Sequence, residues 1–270
     1  MESRIVIALA IASISLLISN SFARAQQITT IKLGHVGSPG SLFAITTDEF
    51  AKRVNTGLKG KVEIKVFHSS QLGTDEQMIL GIKVGAPDMF LPSTVMSTAD
   101  EKFGVFEMPY LIVSRAHMKK VIENKQVQSQ LFDRLPAKGM RVLGVWENGF
   151  RHITNNVRPI VKPEDLKGVK LRVPSGVWRV KMFKAYGGNP SPMPLAEVYS
   201  ALQSGVMDGQ ENPFPQIASA KFQEVQKFLS LSGHVYTPAY LVVSEDVWKK
   251  LPQDTQTALS KIAWEMGDFA

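Results

Sequence analysis

Polar and apolar residues in this chain alternate with a period of two over some stretches and near 3.6 over others, and the two kinds of stretch take turns. Ile31-Lys32-Leu33-Gly34-His35-Val36 predicts a first strand, with Gly37, Pro39 and Gly40 supplying the turn after it. Leu42 to Val54 predicts a helix that buries Phe43, Phe50 and Val54 on one stripe. Val62 to Val66 alternates strictly and predicts a strand. Asp75 to Val84 is helical and stops at Gly85, and Asp88 to Leu91 is a short buried strand. Lys119 to Leu135 holds one or two helices, and Met140 to Trp146 another strand, which completes a βαβ-type block.

A second block begins near Gly149. It predicts strands at Val169 to Val173 and Phe228 to Leu231, with helices at Trp178 to Tyr186 and Ala196 to Ser204. The two blocks share a local pattern. In each, a helix ends at a glycine that leads to an aspartate, Gly85-Ala86-Pro87-Asp88 in one and Gly205-Val206-Met207-Asp208 in the other. Glycine caps a helix in the left-handed region at little steric cost. The fold class expected is α/β in two related lobes, with a ligand cleft between them.

Composition narrows the setting. Arg4 precedes an apolar run from Ile5 to Ile18, and Ala23-Arg24-Ala25 has small residues at the cleavage positions, so residues 1–25 read as a cleaved signal peptide and the chain as periplasmic. There is no cysteine, hence no disulfide framework and no thiolate metal site. The net charge of +7 is spread over single or paired basic residues, with no basic run interleaved with aromatics. Nucleic acid is therefore not an expected partner.

Candidate chemistry centres on Leu171-Arg172-Val173-Pro174 and Asp208-Gly209-Gln210-Glu211-Asn212-Pro213. A guanidinium offers a planar fork that pairs bidentately with a carboxylate, which lysine cannot copy. Arg172 reads as such a handle, or else as a structural ion pair. Enzyme motifs are missing: the five histidines form no HExxH pair, no Gly-x-Ser-x-Gly elbow occurs, and Gly34 to Gly40 carries no phosphate-loop lysine. No enzyme activity, cofactor or metal is expected.

The chain resembles the solute-binding proteins of tripartite ATP-independent periplasmic (TRAP) transporters, of the dicarboxylate-binding type. The resemblance runs from about Ile31 to the end. It rests on Ser70-Gln71-Leu72-Gly73, on Phe103 to Tyr110 (FGVFEMPY), on Pro163 to Pro174 (PEDLKGVKLRVP), on Pro192-Met193, on Glu197 to Pro213 (EVYSALQSGVMDGQENP) and on Lys221 to Lys227. It implies a two-lobed periplasmic-binding-protein-like fold of type II character. Lobe I would comprise residues 26–149 plus 238–270, and lobe II residues 150–237. It further implies a monomer that closes on a small carboxylate and delivers it to integral-membrane permease subunits. Arg172 would grip the carboxylate, with Arg151 of Gly149-Phe150-Arg151-His152-Ile153-Thr154-Asn155 and Asn212 as further contacts. Asp75, Ser93 and His35 are candidate contacts from the first lobe, and Phe214 and Tyr236 candidate apolar walls. An extracytoplasmic sensor for organic acids is the rival role, sharing the cleft and Arg172 but no permease. Family members normally continue several tens of residues beyond the region matching Ala270.

Overall fold

The computed structural model describes residues 28–269; the expected signal peptide and its cleavage site lie outside the described residues. Two βαβαβ runs build the two ends of the molecule's sheet. The first contains β1 (Thr29–Gly34), helix Leu42–Gly57, β2 (Val62–Phe67), helix Asp75–Gly81 and β3 (Met89–Phe90). A long strand, β4 (Met140–Asn155), leads into the second run of β5 (Lys170–Val173), helix Val177–Ala185, β6 (Asn189–Pro192), helix Leu195–Gln203 and β7 (Gly209–Pro213). The equally long β8 (Phe228–Ser244) then leads back. All eight strands share one sheet in the order β2-β1-β3-β8-β4-β7-β5-β6.

The two ends of that sheet are built alike. β1 pairs in parallel with β2 and β3, and β5 pairs in parallel with β6 and β7. The repeated glycine–aspartate pattern has the same structural meaning at both ends. Gly85 and Gly205 take φ of 73° and 74°, the left-handed region a helix exit needs. Asp88 Oδ2 then accepts the Lys32 N–H at 2.8 Å, and Asp208 Oδ2 accepts the Lys170 N–H at 2.8 Å. Each aspartate thus ties a helix exit to the run's first strand. Asp88→Ala and Asp208→Ala are each expected to cost about 0.5–1.5 kcal/mol, and additively, because the two ties are far apart. Urea titration of the single and double variants checks this.

Each half has its own core. On the first, Ile31, Phe50, Val54 and Trp146 pack on one face of the sheet, and Met78, Phe90, Phe103, Phe106 and Tyr240 on the other. On the second, Ile153, Leu171, Val173 and Phe183 form one cluster and Val198, Leu202 and Phe222 another. The halves touch at several points, among them Ser38 Oγ donating to the Ser219 carbonyl at 3.1 Å and Ser175 Oγ donating to Glu76 Oε1 at 2.5 Å.

Two strands run further than the hydropathy pattern predicts. The strand expected to stop at Trp146 continues through Gly149, and that expected to stop at Leu231 continues through Gly233 and Pro238. What looked like breaks are bulges: the β4–β8 register shifts between Glu147 and Gly149, and Pro238 lies opposite Glu147 at that point. A bulge removes the need for the N–H that proline lacks. The second block thus grows out of the same strand as the first. Among the described residues no helix is long and apolar enough to cross a membrane, and no group of three or more histidine, aspartate or glutamate residues is placed to hold a metal ion.

Candidate functional site

β4, β7 and β5 lie side by side, and their facing residues are polar yet buried. Gly209 to Pro213 of β7 is buried along its whole length. In the β4–β7 register Ile153 lies opposite Glu211, which puts Arg151 on the diagonal within reach of the same carboxylate. Arg151 donates from Nε to Glu211 Oε2 at 2.5 Å and from Nη2 to Glu211 Oε1 and Asn212 Oδ1, both at 3.1 Å. Asn212 Nδ2 donates to Gln210 Oε1 at 2.6 Å, so the asparagine is held at both ends of its amide.

Glu211 gathers further partners that residue type alone did not single out. Arg179 Nη1 approaches its Oε2 at 3.2 Å and His234 Nε2 approaches it at 3.1 Å. Burial by itself would raise the Glu211 carboxyl, but Arg151, Arg179 and His234 hold it well below the usual carboxylate range. Burial holds His234 below its ordinary value, so it serves as a neutral ring, with Nδ1 facing Ser232 Oγ at 2.8 Å. Arg179 also reaches Glu107 of the other half.

Arg172 stands differently. It is only 4 % exposed, and its Nε and Nη2 both donate to the Met193 carbonyl. Two of its five N–H groups are so used, leaving three donors uncommitted to any side chain. Burial and the charge of Arg151 pull its pKa down to about 10. Asp75 and Glu76 act on it through space from the first half.

Asp75 opens helix Asp75–Gly81, which is capped by the Thr74 hydroxyl and Gln77 in a reciprocal box. The residue as a whole is half-buried, but Oδ1 is shut away from solvent with no hydrogen-bond partner, as is Glu76 Oε2. Burial pushes the Asp75 carboxyl up to about 7, Glu76 adds to the shift and Arg172 opposes it. A carboxyl raised in this way contributes stability below its unfolded value of 3.8 and loses it as pH rises through about 7. Asp75→Asn should therefore melt above wild type at pH 8, by about 2–4 °C for each kcal/mol relieved, with the difference gone by pH 4. Scanning calorimetry across that range checks it.

The remaining candidates occupy several surroundings. Ser93 Oγ donates to the Pro238 carbonyl at 2.8 Å and accepts from Asn148 Nδ2 at 2.9 Å, in a crevice too tight for water that Glu107 and Thr237 also line. His35 is fully buried, and both ring nitrogens are engaged: Nδ1 accepts the Gly37 N–H and Nε2 faces His68 Nδ1, each at 3.1 Å. Burial and His68 lower its pKa to about 3. Phe214 is stacked on His152 at 4.1 Å, in a cleft of about 280 Å³. Tyr236 packs edge-on against Phe150 and donates to Glu147 Oε2 at 3.2 Å, lining a separate groove of about 360 Å³. The structure thus brings Arg151, Asn212 and Arg172 to adjacent strands with Asp75 across from them, and sets Phe214 and Tyr236 apart. Between the halves, Val36, Ser38 and Ser70 face Leu195, Tyr199 and Ser219 across a cleft of about 600 Å³.

The model of the family described as bacterial extracellular solute-binding protein, family 7 (DctP), matches residues 33–270. The chain belongs to this family. It is 36 % identical over 241 residues to the 2,3-diketo-L-gulonate-binding periplasmic protein YiaO of Escherichia coli, covering 89 % of this chain and 73 % of that protein. Among solved structures it superposes on the sugar acid binding protein DctPAm of Advenella mimigardefordensis in complex with galactonate. There the TM-score is 0.86 and the identity 36 %, over 90 % of this chain and 79 % of that one. The TRAP periplasmic solute-binding protein of Sulfurospirillum deleyianum with bound succinate gives a TM-score of 0.84 and 38 % identity, over 89 % and 78 %. The family 7 chain is therefore a TRAP-type solute-binding protein with the two-lobed α/β fold, as the motifs imply.

Proposed function

We propose that this family 7 protein captures a small organic acid in the cleft between its halves, with Arg172 as the carboxylate handle, and passes it in the periplasm to the integral-membrane permease subunits of a TRAP transporter. One observation carries the reading. Of the three buried arginines among the described residues, Arg151 and Arg179 each have a carboxylate at ion-pair distance, and Arg172 has none. Isolated buried charge is costly, and a ligand carboxylate on the free edge of the fork would supply the missing counter-charge.

Arg151 and Asn212 are proposed to flank that carboxylate. Asp75 and Ser93 would meet the far end of the ligand, with His35, Phe214 and Tyr236 shaping the cleft at a distance. Asp75 Oδ1 and Glu76 Oε2 lack donors, which favours a ligand that brings hydroxyl groups over one with a second carboxylate. The proposed division of the halves, at 149/150 and 237/238, falls at the β4–β8 bulge, where a ladder bends most easily.

A thermal-shift screen of the protein with aldonates, hydroxy acids and dicarboxylates tests the assignment. A ligand at a hundred times its dissociation constant adds about 2.7 kcal/mol, which for a chain of this size is roughly 5–10 °C. Absence of a shift from every carboxylate would remove the reading.

A further inference from the structure

Glu107 and Arg179 come from opposite halves of the molecule. Glu107 ends the 3-10 segment Glu101–Glu107, whose Phe103 and Phe106 pack in the first half's core. Arg179 lies on helix Val177–Ala185, whose Met182 and Phe183 pack in the second. Across the gap, Arg179 Nη2 stands 2.8 Å from Glu107 Oε2 and Nε donates to the same oxygen at 3.0 Å. Both side chains are buried, at 1 % and 5 % exposure.

The pair is asymmetric. Arg179 keeps Glu211 as a second partner within its own half, whereas Glu107 has no other hydrogen-bonded side chain among the described residues. The second half therefore holds its guanidinium in place, and the first half brings the carboxylate to it.

A second contact joins the same two elements. A Cβ on Gly104 would lie 2.1 Å from Trp178 Nε1, and the three nearest atoms to it all belong to Trp178. The indole of one half is seated flush on bare backbone of the other. Nothing in Glu107, Gly104, Trp178 or Arg179 is bonded to Arg172, which is held through the Met193 carbonyl.

We propose that the Glu107–Arg179 pair and the Trp178–Gly104 seat form a clasp that holds the halves shut whatever ligand is bound, and so multiplies the affinity for every ligand by one common factor. The inference rests on closure over a ligand as proposed above. The apparent dissociation constant of a closing protein is the intrinsic one divided by the fraction of molecules able to close. A contact made only on closure raises that fraction without touching the ligand, so it acts on affinity and leaves selectivity alone.

Two variants attack the clasp by different chemistry. Glu107→Gln keeps the shape and removes the charge; Gly104→Ala adds one methyl that meets Trp178 only when the halves are shut. Spin labels on Leu80→Cys and Val206→Cys, exposed positions on opposite halves, report closure by pulsed electron paramagnetic resonance. The chain has no cysteine of its own, so these labels report alone. In the unliganded full chain, both variants should shift the label distance in the same direction and raise the radius of gyration in small-angle scattering. For every acid that binds wild type, affinity should fall by one shared factor of roughly tenfold, with the rank order kept.

Wild-type distances and scattering in both variants would overturn the clasp, as would a loss confined to one ligand, which would make Glu107 a ligand contact instead. If no acid binds wild type, the carboxylate reading fails, and the distances in the unliganded protein still decide the clasp. A melting transition in each variant confirms that the halves remain folded.

Discussion

Arg172→Lys is expected to lose about 2–4 kcal/mol of affinity for any acid that the wild-type protein binds, roughly 30- to 1,000-fold in dissociation constant. The reasoning is geometric. Arg172 spends Nε and one Nη2 hydrogen on the Met193 carbonyl and still has parallel donors on its outer edge. Lysine keeps the charge but has one nitrogen, which can bind Met193 or the ligand with good geometry and not both. Titration calorimetry measures the loss. Affinity within about threefold of wild type would show that the outer edge of the guanidinium holds no ligand. The melting temperature is a necessary companion, because a buried lysine also changes the stability of the empty protein.

Glu211→Gln should produce the largest loss of stability among single substitutions at this site, about 3–5 kcal/mol. The carboxylate is fully buried, and Arg151, Arg179 and His234 all converge on it. An amide can accept from one arginine but cannot offset the charge of two. Both guanidiniums would then be left in a dry interior without full compensation. For a chain of this length that corresponds to roughly 6–20 °C in melting temperature. The sign of the pH dependence follows from the depressed carboxyl. Its contribution is fully present above the ordinary glutamate value and is lost only as pH falls through the much lower folded one. Wild type should therefore lose this term only in strong acid, and Glu211→Gln should lack it at every pH. A variant that melts with wild type would mean that the cluster contributes nothing net.

Much of the fold was readable from alternation and from glycine. β1, β2 and β5 fall within a residue or two of the expected positions, and the paired glycine–aspartate exits proved to be one device used twice. The misses have physical causes. β6, Asn189–Pro192, is proline-rich and polar, yet as an edge strand it pairs only with β5 and can spare N–H groups. β7, Gly209–Pro213, carries the polar residues of the site and so shows no apolar signal despite full burial. At the candidate site, Arg172 and the amide of Asn212 before a proline stood out by residue type and position, and Arg151 through the resemblance to the family's motifs. Glu211, Arg179, His234 and Glu107 did not, because each has a role only through a partner that folding brings from elsewhere. The run of polar residues Gln210-Glu211-Asn212 between Gly209 and a proline was the available signal for Glu211.

Among the described residues the chain passes between the halves only twice, along β4 and β8, and these two strands lie against each other as one antiparallel ribbon of 16 and 17 residues. Such a ribbon behaves as a torsion bar. Its ends are clamped in separate cores, and its middle is interrupted by three register shifts that leave amides outside the regular ladder. Any rotation of one half must appear as added twist in that middle, because among the described residues these two strands are the backbone that joins the halves. The amide protons around Glu147 to Ile153 should accordingly be where opening is first written in hydrogen exchange.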